Sequence, residues 1–161
     1  MREFLRNRAQ KPHALDLDLP AAHIAVRMAR SVLRGFARRE GAPPREIETM
    51  EFVASELLAN AVDHGGGNRA MELGEAGNVR MTLSAHISPE GWEIQVGDQG
   101  GGDPARIAEF LARGQAPDLE DERGRGFFLM AQMLQGLAVT PTRDGRGLLI
   151  SAQRRYEAGG R

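Results

Sequence analysis

The chain has 161 residues, 21 basic and 22 acidic side chains, a formal charge of −1 and no cysteine. That length suits one domain with a sizeable core and is short for two, and the balanced charge gives no chain-wide electrostatic footprint for nucleic acid or an anionic membrane. Disulfide and thiolate chemistry are excluded, and the four scattered histidines have no zinc-ligand spacing.

Residues 1–12 are charged and read as a flexible N-terminal arm without the apolar core of a signal peptide. No apolar run approaches the ~18 residues of a membrane span, so the expected compartment is the cytoplasm. Residues 15–19 alternate with period two, as a short edge strand does, and Pro20 suits the first turn of a helix reaching about Arg39. In that helix Ile24, Met28, Val32 and Phe36 form the apolar stripe. Arg27, Arg30, Arg34 and Arg38 lie largely on other faces, either solvated or docked on a partner. Residues 41–44 break the chain, and a second helix over about 45–64 turns Ile47, Met50, Val53, Leu57 and Ala61 inward before the glycines at 65–67 stop it. A loop covers 68–78. Residues 79–88 and 92–97 then alternate on either side of Pro89, Glu90 and Gly91 as a β-hairpin. Pro104 opens a short helix to about Ala112, and the polar connector 113–123 is a candidate lid. Gly126 leads into a helix with Phe127, Met130, Leu134 and Leu137, after which 137–140 and 148–153 flank a glycine-rich turn as a terminal hairpin. Residues 156–161 read as a flexible tail. The order β-α-α-β-β-α-lid-α-β-β, within a single domain over 13–155, predicts an α+β fold, a two-layer α/β sandwich with helices on one face of one sheet.

Glycine, at 20 of 161 residues, is about twice its usual ~7% and gathers at 65–67, 100–102, 124–126 and 145–147. Glu56, Asn60 and His64 are spaced by four and stack along one edge of a helix. A carboxylate, an amide and an imidazole so placed can offer a general base, a metal-facing oxygen and a donor to one small polar object; they can equally face water. Asp98 follows an apolar-alternating strand, where its carboxylate can accept from an exocyclic amine such as adenine N6 or close an Asx turn. Gly124, Arg125 and Gly126 at a helix start suit convergence of backbone N–H groups on phosphate, with Arg123 and Arg125 adding charge-assisted contacts. Neither the P-loop nor the dinucleotide fingerprint is present, and a lone Gly-x-Gly is also an ordinary helix start.

Taken in order, Glu56-x-x-x-Asn60-x-x-x-His64-Gly, Asp98-x-Gly100-x-Gly102, a lid-length gap and Gly124-x-Gly126-Phe resemble the N box and the two glycine boxes of the GHKL ATPases. The resemblance spans 15–153, and in 55–65 and 122–130 it is to the anti-sigma-factor serine/threonine kinases of bacterial partner-switching systems. It implies the Bergerat fold, that of histidine-kinase-like ATPases, with a mixed sheet, and ATP and Mg²⁺ as cofactors. It implies Glu56 as the catalytic base toward the attacking hydroxyl, Asn60 as the Mg²⁺ ligand and Asp98 as the adenine-reading carboxylate. Gly100, Gly102, Gly124 and Gly126 would shape the loops around ATP, and His64 would close the N box near the nucleotide. The implied partners are a sigma factor to sequester and a STAS-type anti-sigma-factor antagonist to phosphorylate, with no nucleic acid and no membrane. A homodimer is an expectation of the resemblance alone.

Phosphoryl transfer needs positioning, a metal and a residue that orients the nucleophile, which these residue types supply without choosing a protein hydroxyl over water. The first glycine box is richer in glycine than is usual, and the terminal hairpin lacks the hydroxyl that many relatives place near adenine. Those departures motivate an alternative, a nucleotide-gated regulator that binds a partner without kinase activity. A third reading, the ATPase domain of a histidine kinase, fits less well, since His23 lacks the Glu/Asp-Leu-Arg-x-Pro setting.

Overall fold

The computed structural model describes residues 6–7, 13–64, 79–100, 105, 109, 112 and 122–157, with the backbone alone at Arg6, Asn7, His64 and 122–124. The expected glycine stop at 65–67, the loop 68–78, Gly102, the connector 113–121 and the tail from 158 lie outside the described residues. Of the short helix expected after Pro104, the described Ala105, Glu109 and Ala112 are helical.

Six strands, β1 (Arg6–Asn7), β2 (Ala14–Pro20), β3 (Arg80–Ser88), β4 (Gly91–Gly97), β5 (Gly136–Pro141) and β6 (Leu148–Arg155), form one sheet in the order β1-β2-β3-β4-β6-β5. Every described pairing is antiparallel, which corrects the expected mixed sheet. The connections explain this. Two antiparallel helices, α1 (His23–Arg39) and α2 (Pro44–His64), join β2 to β3, so the chain re-enters the sheet reversed. β5 runs parallel to β4, but β6 lies between them and pairs antiparallel with both. Arg6 and Asn7, inside the segment expected as an arm, pair with Asp18 and Leu17.

Strand alternation sends one set of side chains under the helices. Leu15, Leu17 and Leu19, Met81, Leu83, Ala85 and Ile87, Trp92, Ile94 and Val96, and Leu148, Ile150 and Ala152 are all buried. The register pairs Ser88 with Gly91, leaving a two-residue hairpin turn at Pro89 and Glu90. Neither residue has positive φ, so this turn is not of the primed types.

Pro20 closes β2 instead of opening the helix; α1 begins at His23 after the extended residue Ala22, with no side-chain cap. Its buried face is Ala25, Ala29, Leu33, Phe36 and Ala37, which keeps Phe36 of the expected stripe but otherwise lies one residue around the helix, about 100°, from Ile24, Met28 and Val32. Ile24 is 67% exposed. Two interactions favour that rotation: the alanines let α1 approach closely, and Arg34 comes into reach of α2. Arg34 donates through Nε to Glu51 at 2.8 Å and also through Nη2, and Arg30 Nε stands 3.6 Å from the same carboxylate. Half of the expected arginine stripe therefore locks two helices together.

The α1–α2 corner closes with Gly41 at φ +76°, where a side chain would be strained. The Gly41 N–H donates to the Arg38 carbonyl and the Ala42 N–H to that of Ala37, a Schellman arrangement. Pro44 then takes the first helical position, where its missing N–H costs nothing. Ile47, Met50, Val53, Leu57 and Ala61 are buried as expected, joined by Ala54, Leu58 and Val62. A further helix, α3, spans Glu122–Met133 and so starts four residues before Gly126.

Candidate functional site

Two sets of contacts fix how α2 lies on the sheet. Near its start, Glu46 accepts a 2.9 Å hydrogen bond from Nε1 of Trp92, the second residue of β4. Near its end, Asp63 lies 2.9 Å from Nε2 of His23, which follows the end of β2, and β2 ends opposite the start of β3, which pairs with the end of β4. The helix and β4 therefore run in the same direction. Rises of ~1.5 and ~3.3 Å per residue carry Asn60 about 21 Å beyond Glu46 and Asp98 about 20 Å beyond Trp92. One end of the sandwich thus collects Glu56, Asn60, Asp98 and the backbone of His64.

α3 runs against α2. Its Gly126 is buried on the Glu56 carboxylate, and its last carbonyl, of Met133, accepts from Nη1 of Arg154 at the opposite end. The N-terminus of α3, the positive end of its dipole, accordingly faces the Glu56 side. Gly124 and Gly126, expected in a loop before the helix, sit inside its first two turns. Arg125 is exposed on α3, and the side chains of His64 and Arg123 lie outside the described residues.

Three polar groups of α2 on this edge have no partner among the described residues. Glu56 is half-buried, forms no hydrogen bond or ion pair among the described residues, and has its pKa pushed up by that burial. One turn on, the Asn60 side-chain Nδ2 is buried without a partner among the described residues, as is the hydroxyl of Ser55, which adjoins Glu56. Buried polar atoms without partners are rare in folded proteins, and each calls for an explanation.

Asp98 combines both arrangements open to it. Its Oδ1 accepts the Gly100 N–H at 3.1 Å, an Asx turn, and the Leu148 N–H at 2.9 Å, while its own N–H donates to the Leu148 carbonyl at 3.0 Å. Oδ2 has no described hydrogen bond. Gly147, just before the last strand, touches the Asp98 backbone so closely that any Cβ there would fall within the Asp98 carbonyl oxygen. The glycine cluster at 145–147 was legible in the sequence; its contact with Asp98, about fifty residues away, was not.

Sequence reasoning also missed the opposite end. Glu46, buried at 8% exposure, accepts from Trp92 Nε1 and from Arg154 Nε at 2.9 Å, and the same arginine holds the end of α3. No local spacing connects positions 46, 92 and 154. His23 is accounted for by its bond to Asp63, which ties the start of α1 to the end of α2.

No curated protein sequence matches the chain. Among solved structures, a chain of the SiaB–SiaC complex from Pseudomonas aeruginosa superposes with a TM-score of 0.61 at 16% identity, covering 88% of this chain and 89% of that one. The likeness at that identity is one of fold. The model of the histidine kinase-like ATPase domain matches residues 19–153, from the end of β2 almost to the end of β6. With α1, α2, α3 and the site edge inside that span, the chain belongs to the histidine kinase-like ATPase family.

Proposed function

We propose that this chain is an ATP-dependent serine/threonine protein kinase, a single cytoplasmic domain over 13–155 that acts as an anti-sigma factor. It would sequester a sigma factor and phosphorylate a STAS-type antagonist, without contacting nucleic acid or membrane; none of the described helices is long and apolar enough to cross one. The observation that carries this reading is the Glu56 carboxylate, half-buried, without a partner and facing the first turns of α3. A base with a raised pKa holds a proton more readily than a solvated carboxylate, which suits accepting one from a hydroxyl.

The residues present fit Mg·ATP. Asn60 has a buried amide with no partner, and turning that amide over would offer its oxygen to a cation. The described residues contain no cluster of three or more acidic or histidine ligands, which suits Mg²⁺, an ion usually held by one or two protein oxygens together with phosphates. Bound Mg·ATP supplies the transferable phosphoryl group and the positive charge that offsets its developing negative charge. Asp98 Oδ2 would accept from the adenine amine while Oδ1 keeps the loop in place. Gly100, Gly102, Gly124 and Gly126 would leave room for the nucleotide, and His64, Arg123 and Arg125 would add donors around the phosphates. That a fold relative was solved as a two-protein complex supports a protein as the partner.

Calorimetric titration with Mg·ATP and Mg·ADP tests the nucleotide site: both should bind the wild type, and Asp98→Asn should weaken both. No heat from either nucleotide would end the reading. With labelled ATP and an antagonist, label should reach the antagonist and be lost in Glu56→Ala; binding without transfer would assign the chain to the alternative class, a nucleotide-gated regulator.

A further inference from the structure

We infer that Gly126 is a positioning residue for Glu56: its missing side chain seats the Glu56 carboxylate against α3 and so sets where the base stands. The inference rests on Glu56 being the base proposed above. A Cβ at position 126 would stand 2.5 Å from Glu56 Oε2, 3.5 Å from its Cδ and 4.0 Å from its Cγ, and these are the nearest atoms it would meet. Oε2 is the far end of a flexible side chain, so a methyl group there would displace the carboxylate and leave both helices in place.

Among the described residues no competing restraint holds the carboxylate where it is. Glu56 has no hydrogen-bond or ion-pair partner among the described residues, so its position is set by packing, and the packing surface is the α3 backbone at Gly126. α3 is itself held at its other end by Arg154, which also grips Glu46 of α2. The same two helices are therefore tied by a hydrogen-bonded arginine at one end and by a glycine–carboxylate contact at the other. Gly126 contributes to the reaction through the placement of Glu56, in addition to any space it leaves for phosphate.

The test is a double-mutant cycle on the full chain with Gly126→Ala, Glu56→Ala and the pair, reading Mg·ATP affinity by calorimetry and transfer of label to the antagonist by single turnover. Alanine favours a helix interior more than glycine does, so the variants should stay folded, which thermal melting checks. A base misplaced by about 1 Å can cost ~100-fold in rate. Gly126→Ala is therefore expected to slow transfer by about 10- to 100-fold, well beyond any loss of ATP affinity, and to have no further effect on transfer once Glu56 is alanine. A rate loss that persists in the Glu56→Ala background, or an ATP affinity that falls in step with the rate, would overturn the inference by making Gly126 part of the nucleotide cradle alone. Unchanged transfer in Gly126→Ala would overturn it too, with the kinase reading intact. A wild type that binds no ATP would remove both.

Discussion

Glu46 and Glu56 lie ten residues apart on one helix and have opposite surroundings. Glu46 is buried beneath Trp92 and Arg154 and takes hydrogen bonds from both. Glu56 is more open, receives no hydrogen bond from the described residues and meets the bare backbone of a neighbouring helix. Buried polar groups stabilise a fold when every partner is present and cost free energy when one is missing. The Glu46 end is therefore the part of the molecule that holds it together, and the Glu56 end is where polar groups are kept available.

The comparison breaks most visibly at Glu46. Replacing it by alanine would leave the Arg154 guanidinium and the Trp92 N–H without their acceptor and free the end of α3, so Glu46→Ala should cost about 2–4 kcal/mol in urea unfolding. Any nucleotide affinity should survive in the fraction that stays folded. Next in size is Gly147→Ala. The Asp98 carbonyl oxygen that the new methyl would strike is backbone, so β4 and β6 must part locally, at a cost of about 1–3 kcal/mol. Because the shift moves Asp98 itself, this variant should lose nucleotide affinity as well as stability. Equal affinity in Gly147→Ala and wild type would separate Asp98 from the nucleotide.

These two residues also mark where sequence reading runs out. The inward face of α2 and the strand pairs were legible because a period of 3.6 or 2 is written into consecutive residues. On α1 Phe36 was placed correctly, but the rest of the buried face was misplaced by one residue because two apolar stripes, Ile24-Met28-Val32 and Ala25-Ala29-Leu33, lie side by side. What chooses between them is Glu51 on another helix. Glu56, Asn60 and Asp98 were found as candidates through their local spacing. That Gly126 lies on Glu56 and Gly147 on Asp98 depends on chain crossings tens of residues apart, which no local pattern encodes.

A smaller effect sharpens the comparison at Glu56. Burial raises its pKa above the unfolded value, so the fold favours the protonated form. The stability this group contributes is complete below the unfolded pKa of ~4.3 and is lost as pH rises through the folded pKa. Glu56→Gln, which cannot ionise, should therefore match wild type near pH 4 and become the more stable protein toward pH 7. The gain should stay under about 1 kcal/mol, since the carboxylate is still partly screened by solvent. Phosphotransfer should fall by about 10²–10⁴-fold in the same variant. A wild type that gains on Glu56→Gln as pH rises would contradict the assigned environment.

The smallest effects come from two buried hydroxyls without partners among the described residues, one at each end. Ser55 Oγ lies beside Glu56, while the Tyr156 hydroxyl lies at the Glu46 end, its pKa raised by burial and by the Glu46 charge. Removing a buried hydroxyl that makes no hydrogen bond should be neutral or stabilising, by under about 1 kcal/mol. Ser55→Ala and Tyr156→Phe should therefore shift thermal unfolding alike, by little or upward. Binding is where they should part. If the end around Glu56 keeps its polar groups for a ligand, Ser55→Ala should weaken Mg·ATP binding and Tyr156→Phe should not. Identical nucleotide affinities in both variants would mean that Ser55 Oγ contributes nothing to ligand binding, and would narrow the available set to Glu56 and Asn60.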